Sequence, residues 1–249
     1  FMTPVLKALE TDGKLYSIAP GFGIVTLVGK SDVVGKDMGW TLAQMQDVIK
    51  AHPEAKYILG QGVTRTSVLS DMLKGGLDRY VDWQSGKCSF NSQDFIDVLN
   101  FSRLFPEEFT YDELGTSPYQ MLADDRQLLM PMEIRDFTDY QTCTAITKGL
   151  VTFKGYPTAD GIGNIATFSG DPLSISSTCK DMDSAWKFVR GMLTDDSYGS
   201  ARYVDGLPLN VKAYAAAEAE AMKQLTAVGL ADRADFKPAQ LSGGQQQRV

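Results

Sequence analysis

Apolar positions along the chain follow a helical period in some segments and an extended one in others. In one segment they fall on a single helical face: Leu42, Met45, Val48 and Ile49. Thr41 precedes that segment as a good N-cap residue, and Gln44, three positions later, completes a capping box. The pattern therefore predicts a helix that begins directly after Thr41.

Further segments repeat this alternation of helical and extended spacing. Helices are predicted over Pro4–Leu9 and Ser67–Leu73, after a cap at Asn91 or Ser92, and from Asp183 onward. Strands are predicted over Leu15–Ile18, Ile24–Val28 and Tyr57–Leu59, and in the stretches LLMPMEI, GLVTFK and PLSISS. Because short strands alternate with helices throughout, the sequence predicts an α/β architecture.

Size and charge restrict the kind of partner. With 249 residues, 43% of them hydrophobic, the chain can bury the core of one large domain or of two small lobes. The net charge of -7 and the lack of any block of Lys or Arg argue against nucleic acid or anionic membrane as a partner. No apolar run approaches the roughly 20 residues that a membrane-spanning helix needs. The chain starts with Phe1 rather than Met, which leaves a leader upstream as an open alternative, so the lack of a leader in the sequence says little about secretion.

Cysteine and histidine usage argues against metal and nucleophile chemistry. Cys88, Cys143 and Cys179 lie far apart and form no C-x-x-C pair, so we expect ordinary thiols. If the protein is exported, one disulfide between two of them is the alternative, and the sequence does not select the pair. His52 is the only histidine, and its place before a proline predicts a helix-end or solvated role. We therefore predict no metal site, no cofactor and no His-dependent nucleophile.

The segment GFGIVTLVGKS has the ending of a phosphate-binding loop but not its body. Five residues, not four, separate Gly23 from Gly29. The intervening Ile24–Val28 are mostly bulky, whereas a phosphate cradle needs backbone N–H groups that wrap around an anion. We predict a strand here.

Seven segments occur in the order found in one protein family: DGKLYSIAP, GWTLAQMQDV, VDWQSGKCSFNSQDFIDVLNF, LLMPMEIRDF, VTFKGYPTADGIGN, PLSISSTCKDMDSAWKFV and GLPLN. Residues 1–212 resemble the carbohydrate-type extracytoplasmic solute-binding proteins of ABC importers, truncated at the N-terminus. The resemblance implies a two-lobed α/β fold of the type II periplasmic-binding-protein kind, with an incomplete first lobe, that closes over a ligand. It also implies a monomer outside the cytoplasm, a cell-surface lipoprotein or a periplasmic protein, that delivers a sugar to an importer permease.

A sugar site needs aromatic faces and planar polar groups, which loops at strand ends can supply. The candidate ligand-binding residues are Gln61, Thr64, Arg65, Glu133, Arg135, Phe137, Tyr140, Tyr156 and Asp160. For each of them, a packing role or a solvated position stays an open alternative. For Trp83 and Trp186 we predict core packing.

The C-terminal segment, residues 213–249, changes in character and ends in LSGGQQQRV. It resembles the signature-motif region of ABC transporter ATPases, in which Ser242, Gly243, Gly244 and Gln245 form the motif core. The phosphate-loop lysine, the Asp-Glu strand that holds magnesium and the switch histidine are absent from the sequence, so we expect no ATP hydrolysis by this chain. The two resemblances belong to opposite sides of a membrane, which indicates a fusion within AYAAAEAEAM.

Three functions remain as hypotheses. A carbohydrate-binding component of an importer, which is not an enzyme, is the first. A fragment of an ABC ATPase subunit with an unusual N-terminal body is the second. The third is a glycosidase that uses neighbouring carboxylates as its acid and base, namely Glu107, Glu108, Asp124 or Asp125.

Overall fold

The structure, a computed structural model, describes residues 1–74, 76–109, 116–161, 163–194 and 205–227. The chain divides into two compact units. Unit 1 contains Phe1–Val25, Glu133–Gly149 and Ala166–Val249, and unit 2 contains Thr26–Met132 and Leu150–Ile165. Because each unit is assembled from separate segments, the chain passes from one to the other several times.

The described residues form helices and short strands in alternation. The helices are α1 (Thr3–Ala8), α2 (Ser31–Val34), α3 (Leu42–Ala51), α4 (Arg65–Leu73), α5 (Gln93–Ser102), α6 (Pro118–Ala123), α7 (Phe137–Ile146), α8 (Met182–Thr194) and α9 (Val211–Ala227), with a 3₁₀ turn at Leu77–Arg79. The strands are β1 (Gly21–Lys30), β2 (Val81–Asp82), β3 (Lys87–Cys88), β4 (Met130–Ile134), β5 (Val151–Phe153), β6 (Ile165–Ser169) and β7 (Leu207–Pro208). The predicted α/β class is confirmed.

Strand β1 is the centre of the larger sheet. Its first residues pair antiparallel with β7, where Gly21 lies opposite Pro208. Its last residues pair antiparallel with β5, where Val28 lies opposite Phe153. Strands β4 and β6 also pair with β1, while β2 and β3 form a separate hairpin.

Helices with a strong start signal form where the sequence predicts them. The Thr41 hydroxyl accepts a hydrogen bond from the Gln44 amide at 3.3 Å, and the Gln44 side chain accepts one from the Thr41 amide at 2.8 Å. Ser92 caps α5 by accepting from the amide of Phe95. His52 ends α3 and contacts Glu54 at 2.9 Å, which confirms its helix-end position.

Three predicted strands are wrong: Leu15–Ile18, Tyr57–Leu59 and PLSISS. Tyr57–Leu59 makes only an isolated parallel bridge, between Tyr57 and Gln127. The segments Leu15–Ile18 and PLSISS contribute a single pairing to each other, between Ile18 and Leu173, and form no strand. Strand β6 forms instead, in a segment for which we predicted none. The apolar alternation in both segments is short, and Tyr16 is exposed rather than packed on a sheet.

The core positions predicted for two tryptophans are also wrong. Trp83 is 66% exposed at the tip of the β2–β3 hairpin, where its indole N–H donates to Asp78 at 2.5 Å. Trp186 is 48% exposed on α8. Local sequence does not reveal these exposures, because the burial of a side chain depends on segments that are distant in the chain.

Each unit has its own hydrophobic core. The core of unit 1 consists of Ile18, Phe22, Val189, Leu193, Leu207 and Leu209. The largest buried side chains of unit 2 include Leu27, Met45, Val68, Phe101, Met121 and Leu129. Among the described helices, none has the length and apolar character required to cross a membrane.

Candidate functional site

A group of candidate residues lies in unit 1 at the end of β4. The Glu133 carboxylate accepts a hydrogen bond from the Thr167 hydroxyl at 2.8 Å through Oε1. Through Oε2 it accepts from Arg135 Nε at 3.1 Å and Nη2 at 2.9 Å. Gly23 leaves the space for this carboxylate, since a Cβ atom at position 23 would lie 2.5 Å from Glu133 Oε1. Contacts from β1 and β6 thus hold Glu133, and Glu133 in turn holds Arg135.

The guanidinium of Arg135 is oriented on one edge and open on the other. Its hydrogen bonds to Glu133, and the attraction between the two charges, raise the pKa of Arg135 above its ordinary value. The side chain is 56% exposed, and Nη1 forms no hydrogen bond with any described residue. A planar donor that is held in place and still accessible suits recognition of a sugar hydroxyl.

Arg135 lines a cavity of about 400 Å³, which we call the Arg135 pocket. Its lining consists of Arg135, Asp136, Phe137, Asp139, Asp205, Gly206, Leu207, Pro208 and Ala217. Leu207 and Pro208 belong to β7, which is paired with β1, so this wall is part of the sheet. Phe137 packs edge-on against Tyr214 at 5.5 Å between ring centroids. The volume falls within the range of small-molecule sites, roughly 300–1,000 Å³.

The start of α7 fixes two carboxylates at this pocket. Asp136 is the N-cap, and its Oδ1 accepts a hydrogen bond from the Asp139 amide at 2.9 Å. Asp139 Oδ2 accepts from the Arg135 amide at 2.8 Å. Both side chains are held by the backbone of the helix start, because an N-terminal turn has N–H groups without helical partners.

A second group of candidate residues lies in unit 2. Gln61 lines a cavity of about 220 Å³, which we call the Gln61 groove, together with Lys56, Tyr57, Ile58, Gly60, Gly62, Val63, Leu104, Phe105, Pro106 and Phe109. The buried Tyr57 hydroxyl has no hydrogen-bond partner among the described residues. Thr64 caps α4 through Ser67. Arg65 Nε donates to the Phe105 carbonyl at 2.9 Å, so Arg65 holds one wall of the groove in place.

The remaining candidates lie outside the lining of both cavities. Tyr140 is exposed on α7. Tyr156 is only 3% exposed, and its burial, followed by the charge and hydrogen bond of Asp71, raises the pKa of its hydroxyl. Asp160 is exposed and accepts a hydrogen bond from the Thr158 hydroxyl at 2.7 Å. The structure thus brings together Glu133, Arg135 and Phe137 in unit 1, and Gln61, Thr64 and Arg65 in unit 2.

Sequence reasoning missed four polar residues of the unit 1 site: Asp136, Asp139, Thr167 and Asp205. Asp139 carried a usable signal, because an Asp three positions after Asp136 is a capping pattern. Thr167 and Asp205 carried none, since each reaches the site through pairing of segments far apart in the chain.

The residues of the other hypotheses have ordinary surroundings. Glu107 and Asp124 lie 3.7 Å from Arg65 and Arg126, and Asp125 pairs with Lys30 at 2.6 Å, so these carboxylates take part in surface ion pairs. Gly29 lies inside β1, where an added Cβ atom would meet Val34 at 2.6 Å. Within the described ranges, no group of three or more His, Cys, Asp and Glu side chains could hold a metal ion. Signature residues Ser242, Gly243, Gly244 and Gln245 lie outside the described residues.

Comparisons with known proteins give matches at the level of structure. No family model matches the chain, and no curated protein sequence matches it. The sugar-binding protein MalE from the phytopathogen Xanthomonas citri has a TM-score of 0.54 and 16% identity, over 98% of this chain and 72% of its own. A periplasmic solute-binding protein from Pectobacterium atrosepticum has a TM-score of 0.48 and 17% identity, over 96% and 62% of the two chains. A Streptococcus pneumoniae solute-binding protein in complex with the blood group A-trisaccharide has a TM-score of 0.46 and 15% identity, over 98% and 61%.

The similarity to the Xanthomonas citri protein shows the fold. The chain shares the α/β fold of that protein, which agrees with the fold class that the family resemblance implies. At 16% identity this similarity concerns the path of the backbone and does not identify the ligand. The ligand has to be inferred from the chemistry of the site.

Proposed function

We propose that this chain is the extracytoplasmic solute-binding component of an ABC importer and that it binds a carbohydrate. The fold shared with a sugar-binding protein supports the class of protein. The observation that supports a carbohydrate as the ligand is the Arg135 pocket, which combines a fixed guanidinium, an aromatic ring and carboxylates in one cavity.

These groups match the surface of a sugar. The Phe137 ring offers an apolar surface for the C–H face of a pyranose ring. Arg135 Nη1 donates to a hydroxyl oxygen, and the carboxylate of Asp205 accepts a hydrogen bond from a hydroxyl group. Hydrogen bonds that involve a charged group are worth about 1.5–3 kcal/mol each, so two or three of them support measurable affinity.

The Gln61 groove is a second proposed contact region. Gln61 offers an amide that both donates and accepts, and Phe109 is half-exposed at the same groove. Tyr140, Tyr156 and Asp160 remain proposed contacts without a place in either cavity.

The remaining parts of the proposal concern the whole protein. We place residues 1–212 outside the cytoplasm, as a monomer that delivers its ligand to a permease, held as a lipoprotein or in a periplasm. We assign residues 213–249 to a signature-segment tail of an ABC ATPase that does not hydrolyse ATP. The alternative, a fragment of an ATP-binding subunit, has only the resemblance of that tail in its favour.

Calorimetric titration with neutral disaccharides tests the proposal. We expect Arg135→Ala to raise the Kd at least tenfold, because the pocket loses a charged donor worth about 1.5 kcal/mol or more. Arg190→Ala is the matched control, since Arg190 is exposed on α8 in the same unit and does not line the pocket. We expect its Kd to equal that of the parent protein.

Two results would count against the proposal. An unchanged Kd in Arg135→Ala would move the ligand away from the Arg135 pocket. A rise in melting temperature with nucleotide, together with none for any sugar, would favour the ATPase fragment, because a ligand stabilises the folded state to which it binds.

A further inference from the structure

The charge of the Arg135 pocket bears on the kind of sugar it accepts, and this inference rests on the proposed function. Arg135 is the only cationic side chain among the described residues that line the pocket. Its Nε and Nη2 atoms both donate to Glu133, whose carboxylate is not part of the pocket lining and compensates the guanidinium charge. Arg135 therefore supplies a donor without supplying a net positive charge.

Three carboxylates line the same pocket: Asp136, Asp139 and Asp205. The charges of Asp139 and Asp205 act on the Arg135 guanidinium. Within the described part of the chain, none of the three is in a salt bridge. The N-terminus of α7 offsets only about half an elementary charge. The described residues of the lining therefore carry a net negative charge of more than one.

The carboxylates also keep oxygen atoms for a ligand. The hydrogen bonds of Asp136 and Asp139 to the helix start use one oxygen of each, Oδ1 and Oδ2 respectively. Asp205 is exposed and forms no hydrogen bond with any described residue. Of the three carboxylates, only Asp205 is not hydrogen-bonded to the start of α7. Both of its oxygen atoms can therefore accept hydrogen bonds from a ligand.

The size and the lining of the cavity favour a ligand with a sugar ring. It combines about 400 Å³ of space, the Phe137 side chain and a wall from β7 with the Arg135 donor. A bare cation would use the carboxylates and leave the aromatic ring and the guanidinium unused. A sugar that carries an amine uses all of them.

We infer that the Arg135 pocket selects a sugar that carries a protonated amine over its neutral counterpart, and that it rejects acidic sugars. The ammonium group lies within reach of Asp205 while the ring packs on Phe137 and a hydroxyl accepts from Arg135. A carboxylated or phosphorylated sugar meets the same carboxylates as like charges, and Arg135 is already paired. Asp205 is the residue that determines this specificity.

Two β-1,4-linked disaccharides that differ only in the substituent at C2 test the inference on the full chain. Cellobiose carries a hydroxyl at C2 of each ring, and the β-1,4-linked glucosamine disaccharide carries an ammonium there. By calorimetry at low ionic strength we expect the amino sugar to bind roughly tenfold more tightly, since an ion pair at partial exposure contributes a factor of this order. We expect digalacturonate to give no measurable binding.

Asp205→Asn removes the charge and keeps the shape. We expect it to weaken binding of the amino sugar more than binding of cellobiose, whose hydroxyl keeps the amide oxygen of Asn as an acceptor. The affinity ratio between the two disaccharides should therefore fall from about tenfold to about twofold. Asp171→Asn makes the same change at an exposed aspartate of unit 1 that does not line the pocket, and should keep the ratio. Melting curves of both variants show that they are folded.

The outcomes separate the inference from the function on which it rests. Equal Kd values for the two disaccharides in the parent protein, or an unchanged ratio in Asp205→Asn, would overturn the charge selection and leave carbohydrate binding standing. Absence of binding for cellobiose, the amino sugar and digalacturonate alike would overturn both.

Discussion

Burial gives the three thiols different chemistry. Cys143 is fully buried in α7, and burial, with a smaller contribution from the charge of Asp139, raises its pKa to about 12. Because the thiolate is the nucleophile, two factors lower the reactivity of this thiol: reagents do not reach it, and it stays protonated at neutral pH. Cys88 is exposed on β3, and Cys179 is half-buried with its thiol close to the Asp181 carbonyl. None of the three forms a disulfide in the structure.

A thiol reagent should therefore distinguish these residues. In the folded protein at pH 8 we expect rapid labelling of Cys88 by an aromatic disulfide reagent, and labelling of Cys143 only in denaturant. The double variant Cys88→Ser/Cys179→Ser leaves Cys143 alone and should react at a rate limited by unfolding. Fast labelling of that variant under native conditions would contradict the burial of Cys143.

At the scale of single elements, helix starts are defined by reciprocal bonds across three residues. The pairs are Thr41 with Gln44, Thr64 with Ser67, and Asp136 with Asp139. In each pair the cap side chain and the side chain three residues later satisfy amide groups that have no helical partner. The Asp136 pair has a further consequence, because the same bonds fix two carboxylates at the Arg135 pocket.

Removing one of these caps tests its contribution directly. We expect Thr41→Ala to lower the free energy of unfolding by about 1 kcal/mol, since α3 loses a hydrogen-bonded N-cap. Thr41→Ser keeps the hydroxyl and should stay within about 0.5 kcal/mol of the parent protein. Urea denaturation followed by circular dichroism measures both changes. Equal losses in the two variants would show that the methyl group, not the hydroxyl, matters.

At the scale of the whole molecule, the predicted boundary at residue 212, between the segment that resembles a solute-binding protein and the tail that resembles an ATPase, falls inside a helix. Helix α9 begins at Val211 and continues past the predicted boundary at residue 212. Ala213 is buried, and Tyr214 packs against Phe137 of the Arg135 pocket. The first turn of α9 therefore belongs to the packing of unit 1, and the boundary at residue 212 stays a prediction.

Truncation locates the boundary experimentally. A chain that ends after Ala227 should keep the melting temperature and the sugar Kd of the full chain, because it retains all of α9. A chain that ends after Asn210 loses Ala213 and Tyr214, and we expect a lower melting temperature and weaker sugar binding. Identical melting curves for the two chains would show that α9 contributes nothing to unit 1.

Single residues of the candidate site were predictable from the sequence, but the set of residues that share the pocket was not. Arg135 and Phe137 were identified because polar and aromatic residues that follow a buried strand are natural ligand contacts. Asp205 completes the same pocket from a distant part of the chain, and no local pattern marks it. Tyr156 has the same chemistry as other candidates, yet it is buried beside Asp71.

The sequence by itself determined the α/β class, the capped starts of α3 and α5 and the central strand, because these depend on periodicity and on hydrogen bonds between residues a few positions apart. Only the tertiary structure decided the exposure of Trp83 and Trp186, the loss of the Leu15–Ile18 strand and the residues that share the Arg135 pocket. Burial and cavity lining are set by segments that are distant in the chain and meet only when each unit has folded.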